Sequence, residues 1–249
     1  MVTIRIFAMK KQMFYRRILI WLLRFRHRKG YGVHSPFAFN LITWVIYEKA
    51  PYYDYKYLRE IISKAREKSP AMWSRYLESF RIYELLFRLV NYAQPHTILE
   101  IGTSAGASGI YLSCCKKKAR FITLDEQSIA NTLAAGLFNR YSNKIDSRVG
   151  DISVLVPQAI SELMTLDFLL LHPGNYPLST LKAMFEQCVS KSNPRSVFVI
   201  QDIYSSSDVK QWWKELVADE RVGITFDLYH MGLIFFDKTK IKQHYIVNF

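Results

Sequence analysis

The sequence predicts an α/β protein with a doubly wound, mostly parallel, seven-stranded sheet, a terminal antiparallel hairpin and a helical N-terminal cap. From residue 96 onward, short apolar runs alternate with helical patterns, as they do where helices cover both faces of a parallel sheet. The last two apolar runs, 222–229 and 233–236, are separated by only three residues. That gap is too short for a crossover connection, so these two strands must form a hairpin.

Five strands precede the hairpin, and a helix follows each of them. The strands are expected at 97–101, 119–124, 146–149, 166–171 and 196–200. The helices are expected at 105–117, 128–141, 153–163, 179–190 and 207–219. Before residue 96 the apolar periodicity is helical throughout, over 13–26, 37–49, 54–68 and 73–92. We therefore divide the chain into a basic N-terminal arm (1–30), a helical cap (31–95) and a sheet domain (96–249).

Positive charge is concentrated in the arm. The chain of 249 residues carries a net charge of +13, and residues 1–30 hold nine Lys or Arg and no acidic residue. Phe14, Ile18, Trp21 and Phe25 form an apolar stripe on a helix over 13–26. This stripe either lies on an anionic membrane surface or, as we favour, docks on the protein with the basic face in solvent. Nucleic acid is a third partner that such charge attracts.

Cysteine usage and apolar run length indicate the compartment. The three cysteines, Cys114, Cys115 and Cys188, are odd in number and lack metal-ligand spacing. We expect them to be small buried residues in a reducing compartment, the cytoplasm. The longest apolar run of the arm has six residues, which is too short to span a membrane. Any membrane association is therefore expected to be peripheral.

A glycine-containing loop follows the first predicted strand of the sheet. It reads Glu100-x-Gly102-x-x-x-Gly106-x-Ser108. Glycine permits positive φ and a close approach of backbone to ligand, and the next helix begins with unpaired N–H groups. The second strand ends at Asp125, at the spacing of the acidic residue that binds a ribose diol in nucleotide sites. The pattern indicates a nucleoside-bearing cofactor, and it differs from the dinucleotide motif G-x-G-x-x-G.

This loop resembles the first motif of class I S-adenosylmethionine (SAM)-dependent methyltransferases with a Rossmann-like fold, in its O-methyltransferase-like form. The segments 32–37 (GVHSPF) and 227–236 (DLYHMGLIFF) resemble a bacterial group of that family whose substrate is unassigned. The resemblance spans about residues 30–237. It implies SAM as the cofactor and methyl transfer as the activity.

The resemblance also assigns cofactor-binding residues. The loop is expected to pass beside the methionine part of SAM, Asp125 matches the ribose ligand, and Asp151 matches the position near the adenine. Both aspartates have an alternative interpretation as helix caps. The full set of expected cofactor residues is Glu100, Gly102, Thr103, Ser104, Gly106, Ser108, Asp125 and Asp151.

The chain departs from the family where cation-dependent O-methyltransferases bind their metal. In those enzymes the fourth strand ends in Asp and the fifth in Asp-Asn. Here His172 and Ile203 stand where the first Asp and the Asn are expected, while Asp202 is retained. Magnesium prefers oxygen ligands, so we predict no metal site. His172 or Asp202 is then the candidate general base, with His34 as a weaker candidate. The alternative is that His172 is a polar loop residue without a catalytic role.

The predicted function is SAM-dependent methyl transfer to a small-molecule acceptor, at oxygen, by in-line displacement without a divalent metal. The helical cap would close over the site and select the acceptor. Two alternatives remain open. One is a methyltransferase fold without activity that binds a membrane surface or a protein partner. The other is a nucleic-acid methyltransferase, which the absence of an Asn/Asp-Pro-Pro-Tyr motif disfavours.

Overall fold

The computed structural model describes residues 19–249 except 69, 77, 115–117, 127–128, 142–144 and 175. Residues 13–18 of the predicted arm helix therefore lie outside the described part. Residues 19–23 are helical, and a 3₁₀ turn follows at Phe25–His27.

Four helices form the cap. They are α1 (Pro36–Leu41), which continues as a π-helical turn over Ile42–Ile46, α2 (Tyr53–Lys68), α3 (Pro70–Tyr76) and α4 (Phe80–Ala93). The single helix expected over 73–92 is thus two helices. Because the side chain of Ser79 accepts a hydrogen bond from the Arg81 N–H, α4 starts afresh at a capped position.

The sheet domain alternates strands and helices as predicted. Its elements are β1 (Thr97–Ile101), α5 (Ala107–Cys114), β2 (Arg120–Asp125), α6 (Ile129–Tyr141), β3 (Asp146–Val149), α7 (Ile152–Ser161), β4 (Phe168–Leu171), α8 (Leu178–Ser190), β5 (Val197–Gln201), α9 (Ser207–Ala218), β6 (Ile224–Asp227), β7 (Met231–Phe235) and β8 (Gln243–Ile246).

The sheet has eight strands in the order β3-β2-β1-β4-β5-β7-β6-β8. The predicted hairpin is confirmed, since β6 and β7 pair antiparallel and β7 lies between β5 and β6. The prediction of seven strands was wrong by one. The extra strand, β8, pairs parallel with β6 at the edge of the sheet and buries only Tyr245, so its sequence has no apolar run to indicate it.

Each face of the sheet is covered by its own apolar core. The cap helices, α5 and α6 pack on one face, which we call the cap face. The helices α7, α8 and α9 pack on the other. The cap therefore shares a continuous core with the sheet. One buried cap residue, Arg88, donates to the carbonyl oxygens of Val45 and Ile46, which end the π-helical turn.

A buried ion pair attaches the arm to the sheet domain. The guanidinium of Arg24 donates to both carboxylate oxygens of Asp227, at 2.9 and 3.0 Å. Tyr204 donates its hydroxyl to the same carboxylate at 2.6 Å, and the Arg24 guanidinium lies 5.3 Å from the ring centroid of Tyr229. Only 2% of the Asp227 side chain is exposed, so this contact is shielded from solvent.

Over the described residues 19–27, the arm is oriented in the reverse of the way we favoured. Trp21 and Phe25, from the predicted apolar stripe, are 44% and 51% exposed, whereas Arg24 faces the protein. The physical reason is the Asp227 carboxylate, since a buried carboxylate needs a charged or hydrogen-bonding partner.

Replacing Arg24 by Met should lower the free energy of unfolding by about 3 kcal/mol, because it leaves the buried Asp227 carboxylate without its cation. Chemical denaturation measures this. Arg26→Met is the matched control at an exposed position and should change stability by less than about 0.5 kcal/mol. Equal effects of the two substitutions would contradict a stabilising role for the ion pair.

Candidate active site

The glycine loop lies against the start of the segment that follows β4. Gly102 has φ +98°, and a Cβ on it would lie 2.8 Å from the Cβ of His172. Gly106 has φ +80°, and a Cβ there would lie 2.8 Å from the Phe138 ring. Ser104, between them, has φ +50°. The loop therefore needs glycine at both predicted positions. At Gly102 a side chain would collide with His172, at Gly106 it would collide with Phe138 on α6, and both residues have positive φ.

Asp125 lies at the carboxyl end of β2 beside this loop. Its Oδ2 accepts a hydrogen bond from the Ser104 N–H at 2.7 Å, and its Oδ1 accepts one from the Glu126 N–H at 2.8 Å. Burial raises the pKa of this carboxyl, and the two backbone donors oppose that rise. A carboxylate has about four acceptor positions, so Asp125 keeps acceptor capacity for a diol.

Glu100 is fully buried at the end of β1. Its carboxyl accepts from the Ser108 hydroxyl at 2.5 Å and from the Thr123 hydroxyl at 2.6 Å. Thr123 uses its only proton in this way, so the contact of 2.5 Å with the Thr103 hydroxyl is donated by Thr103. Glu100, Thr103 and Ser108 are therefore bonded to one another, directly or through Thr123, and fix the loop from within. Burial raises the pKa of Glu100 to about 7.

Four polar side chains follow one another across the strand ends on the cap face, and we call them the polar row: Thr123, Glu100, His172 and Gln201. Side chains alternate between faces along a strand, and Leu170 and Val199, two residues before His172 and Gln201, belong to the cap-face core. Thr123 pairs with Glu100 in register. Leu171 on β4 pairs with Ile200 on β5. The next residue of each strand, His172 and Gln201, are therefore neighbours across the two strand ends.

His172 is uncharged at neutral pH, because burial lowers its pKa to about 4. Its Nε2 lies 3.9 Å from Oε1 of Glu100, which is beyond hydrogen-bonding distance. The backbone N–H of His172 donates to the Ile101 carbonyl at 2.9 Å, so the residue continues the ladder of β4 with β1. The imidazole is consequently held in place by both the sheet and Gly102.

The cap contributes Glu78 and Tyr83, which interact electrostatically with Asp202 and Glu100 at the strand ends. The Glu78 N–H donates to the Tyr83 hydroxyl at 2.8 Å, and Tyr83 stacks on Tyr111 with ring centroids 5.6 Å apart. Burial, and then the charges of Glu78 and Glu100, raise the pKa of Tyr83. Burial, and then the charge of Asp202, raise the pKa of Glu78 to about 7.

Asp202, the residue after β5, has φ +47° and donates its N–H to the His230 carbonyl at 2.6 Å. Burial raises the pKa of its carboxyl. The structure therefore brings His172 and Asp202 to the same edge of the sheet. Sequence reasoning missed Gln201 and Glu78; the polar amide that ends the apolar strand β5 was the one signal for Gln201.

The two remaining candidates differ in position. Asp151 follows β3 at the same ends of the strands as Asp125, directly after Gly150, whose N–H donates to the Asp125 carbonyl at 3.0 Å. Asp151 caps α7, with its Oδ1 accepting from the N–H and the hydroxyl of Ser153 at 2.8 and 2.6 Å, so its capping interpretation is confirmed while its position near an adenine stays a prediction. His34 precedes α1, whose Phe37 packs on Phe235. Phe235 pairs with the first residue of β5, at the opposite end of the strands.

Within the described residues, no group of three or more His, Cys, Asp or Glu side chains is arranged to hold a metal ion. The same part of the chain contains no helix long and apolar enough to cross a membrane.

Solved structures with a similar fold include several methyltransferases. An O-methyltransferase from Bacillus cereus in complex with SAH is 19% identical, with a TM-score of 0.58 over 77% of this chain and 95% of that one. An SAH-bound methyltransferase from Podospora anserina is 11% identical, with a TM-score of 0.61 over 82% and 97%. An O-methyltransferase from Streptomyces achromogenes in complex with SAM is 17% identical, with a TM-score of 0.57 over 72% and 88%.

No protein-family model and no curated protein sequence matches the chain. The similarity to solved structures confirms the predicted fold class, the Rossmann-like fold of O-methyltransferase-like class I methyltransferases. At these identities it shows the fold, and activity has to be argued from the site.

Replacing Glu100 by Gln should remove a pH dependence of stability. The pKa of Glu100 is about 7 in the folded chain against an ordinary 4.5, so the wild type loses up to about 3 kcal/mol as pH rises from 4.5 to 7. His172 acts in the opposite direction, gaining stability between pH 4 and 6.5. Both proteins carry His172, so the variant-minus-wild-type difference reports Glu100 together with its electrostatic coupling to His172.

Urea denaturation at pH 5 and pH 8 measures that difference. We expect Glu100→Gln to gain up to about 3 kcal/mol relative to wild type between the two pH values. A pH-independent difference would show that the carboxyl is ionised across this range.

Proposed function

We propose that this protein transfers a methyl group from SAM to a small-molecule acceptor at oxygen, without a divalent metal. The observation that carries the proposal is the arrangement of Asp125 and the glycine loop at the strand ends of a methyltransferase fold. The polar row lies beside them under the cap.

The residues present fit SAM. Asp125 has acceptor capacity for the ribose diol, and the N–H of Ser104 already fixes its carboxylate. Gly102 and Gly106 give a loop that a cofactor can approach closely. The N-terminus of α5 adds unpaired N–H groups for a carboxylate. Thr103, Ser108 and Glu100 would act by holding the loop, and Asp151 would lie near the adenine.

SAM supplies an activated methyl group on a sulfonium when bound, so the protein has to align the acceptor and remove its proton. Alignment contributes roughly 7–11 kcal/mol to such reactions. Neutral His172 takes the acceptor proton. Its Nε2 faces Glu100, which leaves Nδ1 for that proton, and the Glu100 carboxylate then stabilises the imidazolium. Asp202, at the rim of the row, is the alternative base.

Metal independence is supported by the chemistry of the row. His172 and Gln201 are uncharged, and magnesium is bound by hard, preferably anionic oxygen ligands. The absence of an Asn/Asp-Pro-Pro-Tyr motif from the sequence supports a small molecule over nucleic acid as the acceptor. A cytoplasmic location is part of the same proposal.

Calorimetric titration with SAH tests the cofactor site. Wild type should bind with a Kd in the micromolar range, and Asp125→Ala should weaken binding at least tenfold, because the ribose loses a charge-assisted hydrogen bond. Glu126→Gln removes the same charge one residue away and should leave affinity within twofold. Failure of the folded wild type to bind SAH would favour the alternative of a fold without activity.

We also infer that the arm binds an anionic membrane surface. Three leucines of the described helical segment, Leu19, Leu22 and Leu23, are 57%, 56% and 73% exposed. The arm around them carries nine cationic residues and no acidic one. Exposed apolar side chains next to cations fit the boundary between headgroups and acyl chains of anionic lipids.

Vesicle co-sedimentation tests this surface. The protein should sediment with phosphatidylserine-containing vesicles more than with pure phosphatidylcholine, and high salt should weaken binding. Replacing the three leucines by Ser should abolish it. Met164 and Ile241, 93% and 88% exposed elsewhere, provide the matched control when replaced by Ser. Equal sedimentation of both variants would exclude the arm as the binding segment.

A further inference from the structure

We propose that a cavity between the arm, the cap and the turn after β6 binds an anionic lipid by its head group, at a second site apart from the proposed cofactor site. This inference goes beyond methyl transfer and does not depend on it. The cavity has a volume of about 330 Å³, which is within the range of small-ligand sites. Among the described residues, none of the glycine loop or of the polar row lines it.

Arg81 at the start of α4 supplies positive charge to this cavity. Its guanidinium lies over the ring of Phe249, 4.1 Å from the ring centroid, and both residues line the cavity. No described carboxylate forms an ion pair with Arg81, and burial lowers its pKa. A guanidinium stacked on a ring keeps the N–H donors at its edge for an anion. The Ser79 hydroxyl, which accepts from the Arg81 N–H, also lines the cavity and has its own proton to donate.

A second arginine adds positive charge beside the first. Arg28 lies over the ring of Trp21, 5.3 Å from its centroid, and Trp21 lines the cavity. Burial raises the pKa of the Tyr47 hydroxyl, and the charges of Arg28 and Arg81 both oppose that rise. The two guanidinium groups therefore act on the same place, and neither has a carboxylate partner in the described part of the chain. An anion between them would relieve the repulsion of these like charges.

Hydrogen bonds through Asn248 hold the walls of the cavity together. Asn248 lines the cavity, and it donates its side-chain amide to the Trp21 carbonyl at 3.2 Å and its N–H to the His27 carbonyl at 2.9 Å. The Tyr47 hydroxyl of the cap donates to the Asn248 carbonyl. One residue thus joins the arm to the cap, and the cavity is formed before a ligand enters. A preformed site reduces the cost of ordering on binding.

The apolar part of the lining indicates an amphiphile rather than a free anion. Ile20 and Trp21 line the cavity, next in the chain to the exposed leucines of the arm. A ligand with its oxyanion head at Arg81 can place its apolar chain along Ile20 and Trp21, towards the surface that we propose to contact lipid. Inorganic phosphate would leave these apolar walls unused, so its affinity should be lower.

Calorimetric titration of the full chain with octyl phosphate tests the site with dispersed single molecules, so that no membrane is needed. Wild type should bind one equivalent. Octanol and inorganic phosphate should each bind at least tenfold more weakly, because each carries only part of the ligand's chemistry. Arg81→Gln should weaken octyl phosphate at least tenfold, since a charge-assisted hydrogen bond is lost. Arg195→Gln removes an exposed arginine elsewhere and should leave the affinity within twofold.

A second pair of variants tests the apolar wall. Trp21→Ser should weaken octyl phosphate at least fivefold, whereas Trp44→Ser, at a position 68% exposed, should change the affinity less than twofold. Equal binding of octyl phosphate and inorganic phosphate would overturn the lipid class.

Unchanged affinity of Arg81→Gln for octyl phosphate would overturn the site. This variant should bind SAH as wild type does, which also shows that it is folded. A wild type that binds octyl phosphate but not SAH would contradict the proposed methyl transfer alone, so the two failures are distinguished.

Discussion

The burial of the Glu100 carboxyl at the end of β1 is the constraint on which the candidate site depends. Ser108 on α5 and Thr123 on β2 both donate to it, so one side chain joins the first strand, the second strand and the helix after the loop. These contacts fix both ends of the segment from Gly102 to Gly106. The same burial raises the pKa of Glu100 to about 7, which places its ionisation within the physiological range.

Glu100 and His172 have to be considered together. Burial favours the neutral form of each group, and the 3.9 Å between Oε1 and Nε2 is short enough for a charge on one to favour a charge on the other. The pair carries no charge as long as Glu100 keeps its proton, and its pKa of about 7 allows that proton to pass to solvent at neutral pH. The imidazolium that His172 becomes on taking the acceptor proton then forms an ion pair with the Glu100 carboxylate. Glu100 would thus stabilise the imidazolium of His172, as the acidic residue does in a catalytic triad. In the ligand-free chain it is placed to do so without a direct hydrogen bond to the imidazole.

Much of the sheet domain could be predicted, because its signals are local. Alternating apolar runs located the parallel strands, and they placed Asp125 at the end of the second strand, where it contacts the glycine loop. The missed features are non-local. The polar edge strand β8 depends on β6, and the significance of Gln201 depends on the register that sets it beside His172. The arm shows the same limit: Arg24 faces inward because of Asp227, 203 residues away, and no periodicity within the arm indicates that partner.

The position of this ion pair links the arm to the acceptor side of the site. Asp227 accepts from the Tyr229 N–H at 2.8 Å, and the His230 carbonyl accepts from the Asp202 N–H at 2.6 Å. Tyr204, which donates to Asp227, is two residues beyond Asp202. The turn after β6 therefore contacts the arm on one side and the residue after β5 on the other. An arm bound to a membrane would therefore hold this end of the strands near the lipid surface.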